Sequence, residues 1–238
     1  MQKILGHMRK AVQNYGLISD GDQICVAVSG GKDSLVMLKG LILLKNFIGI
    51  DYQLTAITID PYFNGTASDY SPVTKICTEY GIEYHIIPTQ IAEIVFDVRK
   101  EPNPCSLCAR MRRGALYNSA EKLGCNKIAL GHNYDDVVET FIMNLFTEGR
   151  IGCFSPATYL ENRNINIIRP LVLSSERDIK KASRNFMLVK SQCRADGCTN
   201  RQKTKEFIAE MERREHGFKD RIFGAMCRAG IDGWGVNK

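Results

Sequence analysis

Apolar residues in this chain follow two alternating patterns. Short runs rich in β-branched residues, ICVAVS (24–29), QLTAITI (53–59), YHIIP (84–88), KIALG (127–131) and INIIRPL (165–171), predict buried strands. Between them lie longer segments with apolar positions three and four apart, LVMLKGLILL, VTKICTEY, ARMRRGALYNSAEKL and DVVETFIMNLF, which predict amphipathic helices. Strands alternating with helices imply a mostly parallel sheet covered on both faces, a Rossmann-like, doubly wound α/β fold. Such a sheet binds its ligand beyond the carboxyl ends of its strands. A helix over about 3–15 precedes the first strand, and after about residue 172 the pattern is helical alone. The expected organisation is an α/β domain with its N-terminal helix over 1–175 and a C-terminal helical extension over 176–238.

Charge sharpens this division. The net charge is +6, and residues 176–238 hold 15 Lys and Arg against 9 Asp and Glu, leaving 17 against 17 before them. A basic extension that includes Arg201, Lys203 and Lys205, beside a neutral domain, suits either a polyanionic partner or a solvated helical surface. No apolar run approaches the ~18 residues of a membrane span, and Met1 leads into a polar amphipathic segment, so a soluble, cytoplasmic protein is expected.

The first strand runs into VAVSGGKDS (26–34), a glycine-rich turn at a helix start that lacks the Walker spacing. Consecutive amides of Ser29, Gly30, Gly31 and Lys32 can form an anion-binding nest there. The helix beginning near Asp33 adds its positive end, Lys32 a point charge, and Ser29 and Ser34 hydroxyl donors. Farther along, GHNYDDVVET (131–140) delivers Gly131 and His132 to the same sheet edge. Asp135, Asp136 and Glu139 follow in the first turns of a helix, where a carboxylate can cap amides or hold Mg²⁺. Asp60 ends the second strand, where an adenosine can pack or a turn can form.

Cysteine is frequent for a cytosolic chain, with nine residues. Cys25, Cys77, Cys125, Cys153 and Cys227 read as small core residues. PCSLCARMRRG (104–114) is different: Cys105 and Cys108 stand one turn apart at a helix start with Arg110, Arg112 and Arg113, a setting that favours thiolate. With a further cysteine at Cys193 or Cys198, the set suits an Fe–S cluster held by three thiolates; with both, it suits structural zinc.

SGGKDS looks like the signature of the PP-loop ATP pyrophosphatases. The order SGGKDS, CSLCARMRRG, GHNYDDVVET, IIRPL and a cysteine near 190 resembles the tRNA 2-thiocytidine synthetase family over almost the whole chain. The resemblance implies an AMP-forming tRNA sulfurtransferase using ATP, Mg²⁺ and a 4Fe-4S cluster, with a sulfur donor protein or sulfide as partner, tRNA position 32 as target, and a homodimer. Its ligands would be Cys105, Cys108 and Cys193; its catalytic residues Lys32, Asp33, Asp135 and Arg112. Ser29, Gly30, Gly31, Ser34, Asp60, Gly131, His132 and Asp136 would join Lys32 and Asp33 in binding ATP. Longer members carry CNLC where this chain has SQCRADGC, which leaves the third ligand open between Cys193 and Cys198. No terminal CxxC pairs of the related 2-thiouridine enzymes are present. Thiouridine synthesis, another PP-loop adenylating ligase and a non-catalytic nucleotide-binding module are the alternatives.

Overall fold

The computed structural model describes residues 1–100, 104–190, 192–193 and 200–235; Cys198 lies outside them. Six strands form one sheet in the order β3-β2-β1-β4-β6-β5, built from β1 (Asp22–Ala27), β2 (Tyr52–Asp60), β3 (Glu83–Pro88), β4 (Lys127–Ala129), β5 (Ala157–Leu160) and β6 (Ile165–Ile168). Every pairing is parallel except β5 with β6. The strand order reverses between β1 and β4, so the crevice beyond their carboxyl ends is the ligand position expected of a doubly wound sheet.

Alternate residues of each strand enter opposite layers, because successive Cβ atoms point to opposite faces. Ile24 and Val26 of β1, Leu54 and Ala56 of β2 and Ala129 of β4 share one buried cluster. That cluster receives α1 (Gln2–Tyr15), α2 (Lys32–Leu44) and α3 (Ser71–Glu79). Cys25, Ile57, Ile59, Ile128 and Ile167 enter the other, under α4 (Pro104–Lys122) and a π-helical segment, Glu93–Arg99. The five strands predicted from the apolar runs are all present. The sixth, β5, forms a hairpin with β6 through Asn164, whose φ of 52° is the left-handed turn that asparagine tolerates.

Beyond the sheet the chain forms α6 (Glu176–Ala182), α7 (Asn200–Arg214) and α8 (Phe218–Arg228). The last two lie on α5 (Tyr134–Thr147), where Val138, Ile142 and Ile208 form a third buried cluster. Met226 and Trp234 are fully buried in the same core as α1 and α2, and the indole Nε1 donates to the Phe154 carbonyl at 2.9 Å. No helix among the described residues is long and apolar enough to cross a membrane.

Candidate active site

The loop between β1 and α2 is shaped by its two serines. Ser34 Oγ donates to the Gly31 carbonyl at 2.9 Å and accepts the Ser29 amide at 3.2 Å, while Ser29 Oγ accepts the Gly31 amide at 3.4 Å. Gly30 has φ of 80°, a conformation open to glycine at no steric cost. The N-terminus of α2 has no side-chain cap, so its first-turn amides and the helix dipole face the mouth of the crevice.

A second loop, from β4 into α5, is stitched to the first. A Cβ on Gly131 would lie 3.3 Å from the Ser34 amide nitrogen, so glycine permits the close approach. Asn133 caps α5 in a reciprocal box with Asp136, and its Nδ2 donates to Asp33 Oδ1 at 3.0 Å. Asp136 is therefore both cap and neighbour of the loop. Burial raises its pKa, the charge of Asp33 adds to that, and Arg201, 3.3 Å away, opposes both.

The carboxylates around α5 are matched by cations from the C-terminal helices. Glu176 bonds Lys205 at 2.8 Å and meets Lys32 and Lys180 at 3.3 Å; together they overcome burial and hold its carboxyl down at about 2. Lys32 also pairs with Asp33 at 2.8 Å, and these two partners outweigh burial and raise its pKa. Asp135 accepts the Glu176 amide at 2.6 Å and meets Lys219 at 2.7 Å, tying α6 and α8 to α5. Arg201 lies 3.2 Å from Glu139, whose pKa burial raises.

On the other side of the loop a cavity of about 340 Å³ opens beyond β1, β2 and β4. Its walls are apolar, from Ala27, Val28, Ile57, Ile59, Leu116 and Leu130, and its polar groups are Ser29, Arg112, Arg113 and His132. That is the composition of a small-ligand site, an apolar slot for a flat group with a few polar atoms to orient it. His132 stacks on Phe154 with centroids 4.8 Å apart. Burial first, then Arg169, Arg201 and Arg113, push its pKa down to about 3, so it is neutral at physiological pH. Its buried Nδ1 has no protein partner. Arg169 of IIRPL is a buried neighbour that donates to the Ser155 carbonyl at 2.6 Å. Asp60 stands apart from this cavity's lining: its carboxylate accepts the Tyr62 and Ser68 amides at 3.0 and 3.1 Å and organises the next turn.

Arg112 links the cavity to the cysteines. It lines the cavity, and its charge also lowers the pKa of the Cys108 thiol against the larger upward effect of burial. Cys193 and Cys105 raise the same thiol, so three cysteines lie within electrostatic reach of one another. No set of three metal-ligating side chains among the described residues is drawn into coordination geometry. Three neighbouring cysteines beside arginines nevertheless fit a cationic inorganic group, which binds sulfur as thiolate and would offset the burial that raises the Cys108 thiol. Asp33 and Asp136, close enough for the first to raise the pKa of the second, likewise fit a divalent cation beside the loop.

Cys193 is delivered by a segment that the sequence reading did not connect to the loop. The Val189 amide donates to the Gly30 carbonyl at 3.1 Å, and a Cβ on Gly30 would collide with the Val189 side chain. Glu176 and Asn133 were also missed. The N-x-x-D spacing of Asn133 and Asp136 was a local capping signal. Nothing near Glu176 in sequence foretells its contact with Lys32.

A family model described as a PP-loop domain matches residues 2–200. A tRNA-cytidine(32) 2-sulfurtransferase of Geobacter sulfurreducens is 38% identical over 230 residues, covering 94% of this chain and 89% of the relative. One from Citrifermentans bemidjiense is 39% identical, covering 89% and 84% respectively. Among solved structures, a U34-tRNA thiolase of Methanococcus maripaludis with its 4Fe-4S cluster has a TM-score of 0.75 at 25% identity, covering 94% of this chain and 78% of that one. With an uncapped loop helix at the sheet's reversal point, a cavity beside it and three cysteines at its edge, the chain belongs to the PP-loop family and, within it, to the tRNA-cytidine(32) 2-sulfurtransferases.

Proposed function

We propose that the protein replaces the 2-oxygen of cytidine 32 in tRNA by sulfur, in the cytoplasm, at the cost of ATP cleaved to AMP and pyrophosphate. The observation that carries this reading is the shared position of Arg112, which faces the cavity and acts on Cys108. A site that activates a base and one that holds sulfur must be within reach of the same carbon.

The apolar slot would take adenine, and the loop amides and Lys32 the departing pyrophosphate. The cytosine 2-oxygen attacks the α-phosphorus, and the bond to the β-phosphate oxygen breaks. Lys32 and the amides neutralise the charge that builds on pyrophosphate; Asp33 and Asp136 would hold a Mg²⁺, which would supply further positive charge to the phosphates. When bound on Cys105, Cys108 and Cys193, a 4Fe-4S cluster supplies a place at which sulfide is held for transfer. Attack of sulfur on the activated carbon then breaks the carbon–oxygen bond and releases AMP, whose phosphate Arg112 would steer. Neutral His132 can orient a ligand by hydrogen bonding but carries no proton to give as an imidazolium.

In this reading residues 1–175 perform the ATP chemistry, while 176–238 bring the third cysteine and the cations Lys205 and Arg201. The likeness to the U34-tRNA thiolase favours uridine as the second reading. The test is anaerobic protein with ATP, Mg²⁺, sulfide and unmodified tRNA, with AMP and the thiolated nucleoside quantified. 2-Thiocytidine with stoichiometric AMP is expected, and iron should be lost from Cys105→Ala, Cys108→Ala and Cys193→Ala but kept in Cys198→Ala. Sulfur on uridine would select the second reading, and zinc in the parent would overturn the cluster. A homodimer is also proposed; equilibrium sedimentation at the monomer mass would refute it.

A further inference from the structure

A larger cavity, about 640 Å³, opens beyond the carboxyl ends of β2 and β3. It lies within the volume range of small-molecule sites, roughly 300–1,000 Å³. The mechanism above does not use it. Among the described residues it shares no lining residue with the ATP cavity, for which Ile57 and Ile59 of the buried cluster form a wall. Its lining includes Tyr62, Phe63, Phe96, Gln90, Glu93 and Asp97.

Three features describe what it would accept. The first is aromatic: the Phe63 and Phe96 rings lie 6.1 Å apart with planes at 58°, and Tyr62, 37% exposed, stands at the mouth. The second is charge: among the described residues no Lys or Arg lines the cavity, while Glu93 and Asp97 do, so a phosphate is repelled and an amino group is attracted. The third is the backbone. Tyr62 has φ of 58°, which a bulky residue rarely adopts, and the buried Asp60 carboxylate pins the turn by accepting the Tyr62 amide. On the opposite wall Glu93, Phe96 and Asp97 come from the π-helical segment, a conformation that recurs at functional sites.

We propose that this cavity takes an unstacked nucleobase of the bound tRNA, other than the base that is modified, and one that carries an exocyclic amine. Stacking on aromatic rings holds a single-stranded base without regard to sequence, and a carboxylate that accepts from an amine selects cytosine, adenine or guanine over uracil. The phosphates remain outside. The inference rests on the reading of tRNA as substrate.

The test uses the holoenzyme and tRNAs that each carry one abasic nucleotide near cytidine 32, with binding and thiolation measured separately. At one position other than 32, loss of the base should weaken binding about tenfold. Tyr62→Ala should weaken intact tRNA by a similar factor, and the two losses combined should not exceed either alone. Placing uracil at that position should weaken the parent, and Glu93→Gln should narrow the difference. Glu93 is exposed, so this variant provides a readout should Tyr62→Ala fail to fold. Losses that multiply at every position, or weaker ATP binding by Tyr62→Ala without tRNA, would overturn the inference while 2-thiocytidine formation leaves the parent reading intact. A parent protein that thiolates no tRNA would instead refute that reading.

Discussion

The two sides of the loop at Ser29–Ser34 are built on opposite electrostatic plans. Toward α5 and the C-terminal helices the carboxylates nearest the loop have cations: Glu176 has Lys32, Lys180 and Lys205, Asp135 has Lys219, and Asp136 and Glu139 share Arg201. Toward the cavity, Arg112 and Arg113 have no carboxylate partner among the described residues, and neutral His132 sits among arginines. Matched charges contribute to holding helices in place and ask little of a ligand. Unmatched positive charge in a partly apolar slot raises the free energy of the empty site and is relieved when an anion arrives. The first side is scaffold with a catalytic edge, and the second is receptive.

The strongest test removes the lysine of the loop that lies between the two sides. Lys32→Ala should lower AMP formation by about 10²–10³-fold, the usual loss when one charge-stabilising donor is deleted. Glu176 keeps Lys180 and Lys205 when Lys32 is removed, so the cost in unfolding should stay within about 1 kcal/mol. Thiolation at the parental rate would separate the loop from the chemistry.

A matched pair of substitutions then asks whether the sides differ as described. Arg112→Ala should cut kcat/KM tenfold or more with unaltered stability, because no ion pair is lost. Arg201→Ala leaves Glu139 buried without its partner and should cost about 1–2 kcal/mol in denaturant unfolding, between the values for surface and buried pairs. Its effect on turnover should be the smaller of the two. The reverse pattern would dissolve the distinction.

Acid should expose a third difference. His132 has a folded pKa of about 3 against 6.5 when unfolded, so the unfolded chain binds the extra proton and stability falls as pH drops through that window, by up to about 1.4 kcal/mol per pH unit. His132→Phe should flatten this slope. Glu176 acts over a lower range: its folded pKa of about 2 gives stability present above about 4.5 and lost as pH falls toward 2. Glu176→Gln should therefore lower stability most above about pH 4.5, with the loss shrinking as pH falls toward 2. An unfolding profile for His132→Phe parallel to that of the parent between pH 4 and 6.5 would contradict the burial argument.

The smallest expected effect concerns RNA. Arg201 and Lys205 are engaged with carboxylates of the site, whereas Lys203 is exposed and forms no ion pair among the described residues. Lys203→Glu should reduce the salt slope of tRNA binding by about one unit and leave ATP affinity level. A slope unchanged from the parent would assign this charge to solvent.

The legibility of this protein followed the range of its interactions. Parallel strands buried on both faces were readable because each is a continuous apolar run, and α1 and α5 because their apolar residues repeat at helical spacing. The SGGKDS turn was readable because the strand, turn and helix that it joins are contiguous. β5 was not: its four residues, ATYL, are half-exposed and become a strand only by pairing with β6. The C-terminal charges were readable as a basic segment, but not as counter-ions of the acidic residues around the loop.

What the chain determined by itself was a doubly wound sheet, an anion-binding turn at its first strand and a cysteine pair at the start of α4, since each is encoded within one element or its boundary. Tertiary structure alone decided that Glu176 meets Lys32, that Val189 covers Gly30 on the way to Cys193, and that Asp136 caps a helix while facing Asp33. These contacts join residues about a hundred positions apart or more. Their cause is the packing of α5, α6 and α7 around one sheet edge, where burial compels each polar group to find a partner and the partners are whatever the fold has brought there.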